Sequence, residues 1–494
     1  MLNNIYKQTS ISEYSKLYEQ LIPEEHFLRK LKENVDFSFV NKLVEKEYSE
    51  KYGRPANEPE LMFKLLFLQI KDGLSDREVV DRAKMDMAYK YFLDLNPEDE
   101  MVSYSMLSVF RNTKIKEESI LEEMLRETVR QAIEKGIIKS NSIIVDSAHT
   151  QSKGIKKTPT QILRELTKNM RKYIYATHPE VKEKFPNKPS DDALLDDEIA
   201  YTKELVETVR KEMKNKMDKK LSNKINQIDE LLESEKIKTI QSISDQDAKQ
   251  GYKSETNEFF GYKNHIAITE ERIITALEVT TGEAPDGKYL KTLVEKSQKA
   301  GLEIKEVIGD KAYSGRENLE YGKENDITII SGLNPIISNS RELKEGFEYN
   351  KDADMLVCQA GYPAINKKYR KECIKKDGVK RNATIEYKFD DEKCKTCPYK
   401  DKCHVGKSKG KTYMVSIMSN IHKEQDEFEK TEYFKEKMRH ERYKIEAKNS
   451  ELKVTHGLEK AKSVGLFAVQ IQSYMTCIVA NIKRIVKKIT PISA

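Results

Sequence analysis

Ser142-Ile143-Ile144-Val145-Asp146 is a short apolar run closed by an acid, and Glu303-Ile-Lys-Glu-Val-Ile-Gly-Asp310 repeats the pattern. Such β-branched runs suit buried strands. Between them, Gly261–Thr269 and Arg272–Thr280 read as two strands close enough to form a hairpin. An amphipathic helix is expected over Asp286–Ala300, ended by Gly301. A short helix follows over Arg316–Asn325, then a fifth strand over Asp326–Ser331. Helices are expected over Glu424–Lys453 and Val464–Lys488. This order predicts an α/β fold: a mixed sheet covered by helices and interrupted twice.

Working outward, residues 1–135 read as helical. The apolar stretch from Pro59 to Ile70 stops at Gly73, and Ser75 with Glu78 forms a capping box for the next helix. Ser103–Arg111 reads as a third helix. These helices suit a helix-turn-helix or a plain bundle. The first interruption, residues 150–255, is rich in Lys and Glu. Leu205, Val209 and Met213, then Ile225, Ile228 and Leu232, recur at helical spacing and predict a helical hairpin or coiled-coil arm. The second, residues 332–425, is basic and holds five of the six cysteines.

The chain has 494 residues, 34% of them charged and 38% hydrophobic. Its mean hydropathy is −0.72. No apolar run reaches the about 18 residues of a membrane span. The N-terminus lacks a secretory apolar segment, and six cysteines are too few for a disulfide scaffold. A reducing cytoplasm is the expected compartment. The net charge is +6, yet Asn366–Lys411 alone holds 16 Lys/Arg against 7 Asp/Glu. A solvated loop would tolerate that excess; so would a polyanion such as DNA.

Asp146 and Asp310 close strands at the sheet edge where ligands gather. Strand-end acids often cap turns, but two at one edge suit a divalent cation with oxygen ligands. Arg439, Arg442, Glu446, Asn449 and Lys453 lie at offsets 0, 3, 7, 10 and 14, one face of a continuous helix. Beside them runs the apolar stripe Met438, Ile445 and Leu452. The face reads as a third acid among phosphate-binding cations, or as a solvated surface with an Arg442–Glu446 pair. In the basic insertion, Cys394-x2-Cys397-x5-Cys403 with Cys358 has the spacing of a structural zinc site. Cys373 and His404 are alternative ligands, and free thiols are the other reading. Cys477 belongs to an apolar helix.

Arg442-x3-Glu446-x6-Lys453 resembles the helix signature of DDE-type bacterial insertion-sequence transposases. Val145-Asp146-Ser147-Ala-His149-Thr and Gly309-Asp310-Lys-Ala-Tyr313-Ser resemble that family's first and second acid motifs. Ser244-Asp245-Gln-Asp247-Ala and Phe260-Gly261-Tyr262-Lys263-Asn-His265 resemble the approach to its second strand. Gly73-x-Ser75-Asp76-Arg77-Glu78 and Ser108-Val-Phe110-Arg111 resemble the helical domain that precedes the catalytic one. At Arg439 many members carry Tyr.

The resemblance implies a ribonuclease H-like catalytic domain over 140–494, after a DNA-binding or assembly domain over 1–135. It implies that Asp146, Asp310 and Glu446 hold two Mg²⁺ or Mn²⁺ ions, cut DNA at terminal inverted repeats and join the ends to target DNA. Arg442, Lys453, Arg439 and, in the N-terminal domain, Arg111 are the expected phosphate-binding residues. A homodimer on bacterial nucleoid DNA is expected, with no membrane partner. A ribonuclease H-like nuclease without strand transfer, or an inactive DNA-binding derivative, are the competing readings.

Overall fold

The computed structural model describes residues 12–49, 57–233, 236–254, 257–334, 346–350, 352–374, 380–403 and 410–490. Its main sheet has six strands: β1 (Ser142–Gln151), β2 (Lys249–Ser254), β3 (Asn257–Thr269), β4 (Ile274–Thr281), β5 (Glu306–Ile308) and β6 (Thr328–Ile330). β3 runs antiparallel to β1, and both β2 and β4 pair with the other edge of β3. β5 lies parallel to β1, and β6 parallel to β5. The parallel strands are covered on both faces, which is why Val307, Ile308, Ile329 and Ile330 are all buried. Leaving β2 aside, the first acid stands on strand one and the second just past strand four. That is the ribonuclease H-like arrangement.

One hydrophobic core runs from the N-terminal helices through the sheet to the last helix, Leu466–Ile489. That helix is apolar nearly all round and is buried between β4 and the helix Glu118–Glu134. Its Asn481 is fully buried and fully used. Oδ1 accepts the Ile274 N–H at 2.7 Å, while Nδ2 donates to the Ile274 carbonyl at 2.7 Å and to Thr128 Oγ1 at 3.0 Å. The side chain thereby extends the ladder at the outer edge of β4. In the N-terminal part, Pro59–Lys71 starts on its proline and buries Phe63, Leu65, Leu66, Phe67 and Leu68. Ser75 and Glu78 make the expected reciprocal cap. Among the described residues no helix is long and apolar enough to cross a membrane.

The insertion at 150–255 departs from the expected hairpin or coiled coil. Three helices, Pro159–Thr177, Leu195–Glu212 and Lys219–Glu233, pack around a separate core. Pro159–Thr177 carries a stripe of Ile162, Leu163, Leu166, Met170 and Ile174, broad enough to take both other helices. A two-stranded seam needs only a narrow stripe.

The helix expected over Glu424–Lys453 is divided into Asn420–Phe428, Glu432–His440 and Tyr443–Ser450, followed by a π-turn at Glu451–Thr455. Thr431 restarts the chain by accepting the Phe434 N–H at 3.3 Å, and Phe434 packs edge-on against Phe428.

The insertion at 332–425 contains an antiparallel sheet of Asn366–Arg370, Thr384–Lys388 and Thr412–Ser416. His404 and two parts of the basic run, 375–379 and 404–409, lie outside the described residues.

Candidate active site

β1 and β5 pair in parallel up to Ile144 opposite Ile308. Two residues further on, each chain carries an acid: Asp146 and Asp310. Asp310 is still extended, at φ −77° and ψ −179°. Side chains alternate with period two, so both acids project from the face of Ile144 and Ile308, level with each other. Asp146 does not close its strand, as the sequence reading had it. β1 continues to Gln151 because β3 pairs with it along that whole length. What ends beside Asp146 is the parallel ladder.

The helix Tyr443–Ser450 supplies the third acid. Ile445 and Leu452 anchor this segment in the core. Glu446, Asn449 and Lys453 then line one cleft of about 540 Å³ with Asp146 and Asp310. Asn449 Nδ2 donates to Asp146 Oδ2 at 3.0 Å and ties helix to strand. Lys453 rides on the π-turn, with Nζ 3.3 Å from His149 Nδ1. Such turns re-aim side chains and are frequent at functional sites. Glu446 is 60% exposed and lies 3.7 Å from Arg442.

Among the described residues, the three acids close enough to share an ion without rearrangement are elsewhere: Glu118, Glu122 and Glu278, with oxygens within 4.8 Å of one another. Lys296 Nζ sits 2.5 Å from Glu122 and 2.6 Å from Glu278, so that group already has its cation. It joins the N-terminal part to β4.

Burial pushes the Asp146 carboxyl up to about 6, and Asp310 adds to the shift while Arg442 opposes it. Burial also raises Asp310. Two raised acids facing one cleft form a donor set that a divalent cation fits. They also make a stability prediction. A carboxyl whose folded pKa is raised above its unfolded value of about 4 costs stability once ionised. The cost is absent below about pH 4 and complete above about pH 6. In cation-free buffer, Asp146→Asn therefore stabilises the protein by about 1–2 kcal/mol at pH 7.5, discounted for the partial exposure of the group. The gain disappears below about pH 4. Urea unfolding at both pH values checks this, and equal stabilities at pH 7.5 would contradict the assigned burial.

The cleft lining includes two acids that the sequence reading passed over, Asp286 and Glu459. Asp286 was expected only as a helix start. It lines the same cleft and acts electrostatically on both Asp146 and Asp310. Lys263 Nζ holds it at 2.9 Å and also donates to the Ala284 carbonyl at 2.8 Å. His265, buried and stacked on Tyr289, lies 3.7 Å away from Asp286. Burial lowers His265 to about 4, so the ring is neutral at pH 7. The Lys263-x-His265 pair was visible in the sequence; its partner Asp286, 21 residues beyond His265, was not.

Two supports hold the acids in place. Gly309 precedes Asp310, and a Cβ there would stand 2.7 Å from the Tyr313 ring, which is buried beneath the site. Asp245 is buried and accepts from the hydroxyls of Tyr262 and Ser152 and from the Gly465 N–H at 3.0 Å. Asp247 accepts the Leu466 N–H at 2.9 Å. Together they fasten the start of the last helix to β3 and to the end of β1.

The expected phosphate-binding residues are distributed unevenly. Lys453 lines the cleft, and Arg442 borders a neighbouring one with Asp310. Arg439 is exposed on the separate helix Glu432–His440, so it does not share a helix with Glu446. Arg111 lies in the N-terminal part and forks onto both oxygens of Asp76.

Residues 16–113 match the family described as Transposase domain (DUF772), and residues 357–486 match the family described as Transposase DDE domain. Asp146 on β1 and Asp310 just past β5 lie between the two matches. No curated protein matches the chain. The two transposase matches flank the six-stranded sheet that carries Asp146 in a single polypeptide, a combination consistent with an insertion-sequence transposase.

Proposed function

We propose that this protein cuts DNA at the inverted repeats ending an insertion sequence and joins the freed 3′ ends to target DNA. The observation that carries the reading is the level placement of Asp146 and Asp310 beyond the last parallel rung, with Glu446 facing the same cleft. Asp146, Asp310 and Glu446 are the residues that would hold two Mg²⁺ or Mn²⁺ ions. When bound, such a pair stabilises the attacking and leaving oxygens of an in-line displacement at phosphorus. Asn449 orients Asp146 through its Nδ2. Lys453 and Arg442 hold the flanking phosphates, one as a point charge and the other as a fork. Glu446, exposed at the cleft wall, moves toward the two aspartates as DNA enters. The active species on DNA is a homodimer bridging the two element ends, working on the nucleoid of the bacterial cytoplasm.

The test uses the DNA flanking the gene as substrate, with Mg²⁺ and a plasmid target. Transposition gives nicks at the repeat boundary and joined products. Cutting without joining would instead support a ribonuclease H-like nuclease, and binding without cutting an inactive derivative. The same assay separates two side chains. Lys453→Ala weakens binding similarly for all DNA sequences and lowers the slope of log affinity against log salt by about one. Glu446→Gln leaves that slope unchanged and loses cleavage. An unchanged slope for Lys453→Ala would remove that residue from the site.

A further inference from the structure

The basic insertion has a weak core. Its buried apolar cluster comprises Phe347, Leu356, Ala364, Tyr387, Phe389 and Tyr413. So few residues rarely hold a small unit together without a covalent or metal staple. Packed against that cluster are Cys358, Cys394 and Cys403. These three and Cys397 line one cavity of about 30 Å³, alongside Tyr362 and Phe389.

The backbone delivers the four sulfurs from three separate places. Cys358 follows the strand Met355–Val357 on a tight turn. Its N–H donates to the Tyr362 carbonyl at 2.9 Å, and its carbonyl accepts the Gly361 N–H at 2.7 Å. Gly361 sits at φ +77°, where glycine is favoured. Cys394 lies in the short helix Asp391–Lys395, which Asp390 caps, and Cys397 follows two residues after its end. Cys403 ends the turn Lys400–Cys403. The Lys411 N–H points at Cys394 Sγ at 3.5 Å, the kind of contact that supports charge on a thiolate. Cys373 is exposed and does not line the cavity, and Cys477 is buried in the last helix.

We propose that Cys358, Cys394, Cys397 and Cys403 bind one structural zinc ion that staples the basic insertion. Four thiols lining one small cavity offer a zinc ion a complete ligand set once it displaces their protons, and a closed four-sulfur set is a structural rather than a catalytic zinc site. Among the described residues no three of these sulfurs lie within 4.8 Å of one another, so binding draws them inward. The ion fixes the turn at Cys358 against the Cys394–Cys403 segment. That ties the segment before the first strand of its three-stranded sheet to the connection between the second and third.

The experiment takes full-length protein purified without chelator. Elemental analysis gives one zinc per chain, and replacement by Co²⁺ gives the visible bands of a tetrahedral site with a thiolate charge-transfer band. The paired change Cys394→Ser with Cys397→Ser removes the metal, while Cys373→Ser retains it. Chelation opens residues 346–416 to protease while the main sheet stays resistant. If the paired variant does not fold, the cobalt spectrum and the chelation arm on the natural sequence still decide the matter. Metal-free protein with an equally resistant insertion would overturn the proposal. So would iron in place of zinc, a disulfide among the four cysteines, or loss of metal in Cys373→Ser. None of these readouts involves Asp146, Asp310 or Glu446, so the zinc site stands or falls apart from transposition.

Discussion

Asp146→Asn, Asp310→Asn and Glu446→Gln each reduce DNA cleavage about a thousandfold or more while leaving DNA affinity nearly unchanged. The size follows from what a metal ligand supplies. Bound divalent ions provide several kcal/mol of transition-state charge stabilisation, and about 1.4 kcal/mol is a factor of ten in rate. Each substitution is nearly isosteric, so the strand register and the Asn449 contact survive. The phosphate-binding cations are untouched. Cleavage of a DNA end in Mg²⁺ and in Mn²⁺, with affinity measured in parallel, provides the check. Near-wild-type cutting by any of the three would remove that acid from the triad. Asp286→Asn is the informative companion: it shows whether Asp286 serves the metals or serves Lys263.

Asp245→Ala destabilises the fold by about 3 kcal/mol, the range seen when one member of a buried polar network is deleted. The change orphans two hydroxyls, on Tyr262 and Ser152, and the N–H of Gly465. It also removes a negative charge beside the start of Leu466–Ile489, where the helix dipole favours one. Asp245→Asn keeps one acceptor and costs less. Urea unfolding gives the number. A loss under about half a kcal/mol for Asp245→Ala would mean that the network is solvated and idle.

Much of the main sheet was legible because its strands carry short β-branched apolar stretches. Ile143-Ile144-Val145 and Val307-Ile308 are buried in their strands, and the acid that follows each stretch marked the site. The hairpin of β3 and β4 followed from its short connection. The legible part ends where tertiary packing overrides local pattern. Nothing between Glu424 and Lys453 is Gly or Pro, so a single helix was the natural reading; the breaks come from burying Phe434 and from the turn before Tyr443. That division is what parts Arg439 from Glu446. Asp286 was hidden because it faces the acids only through the fold of β3 and β4. The strands of the basic insertion escaped notice because lysine-rich segments such as Asn366–Arg370 carry no apolar alternation. The cysteines there were legible by spacing alone.

The single core shared by the two ends of the chain has a consequence for synthesis. Asp146 and Glu446 are 300 residues apart, and the helix that closes the core comes later still. At about 5–20 residues per second, a ribosome that has made β1 needs roughly 15–60 s more to deliver the third acid. During that interval the sheet has the helices Glu118–Glu134 and Leu290–Lys299 to pack on but lacks Leu466–Ile489. Any product truncated before Leu466 lacks the closing helix, and with it the packing that seats Asn449 against Asp146. The cleft thus takes its full shape only once Leu466–Ile489 has been made and packed.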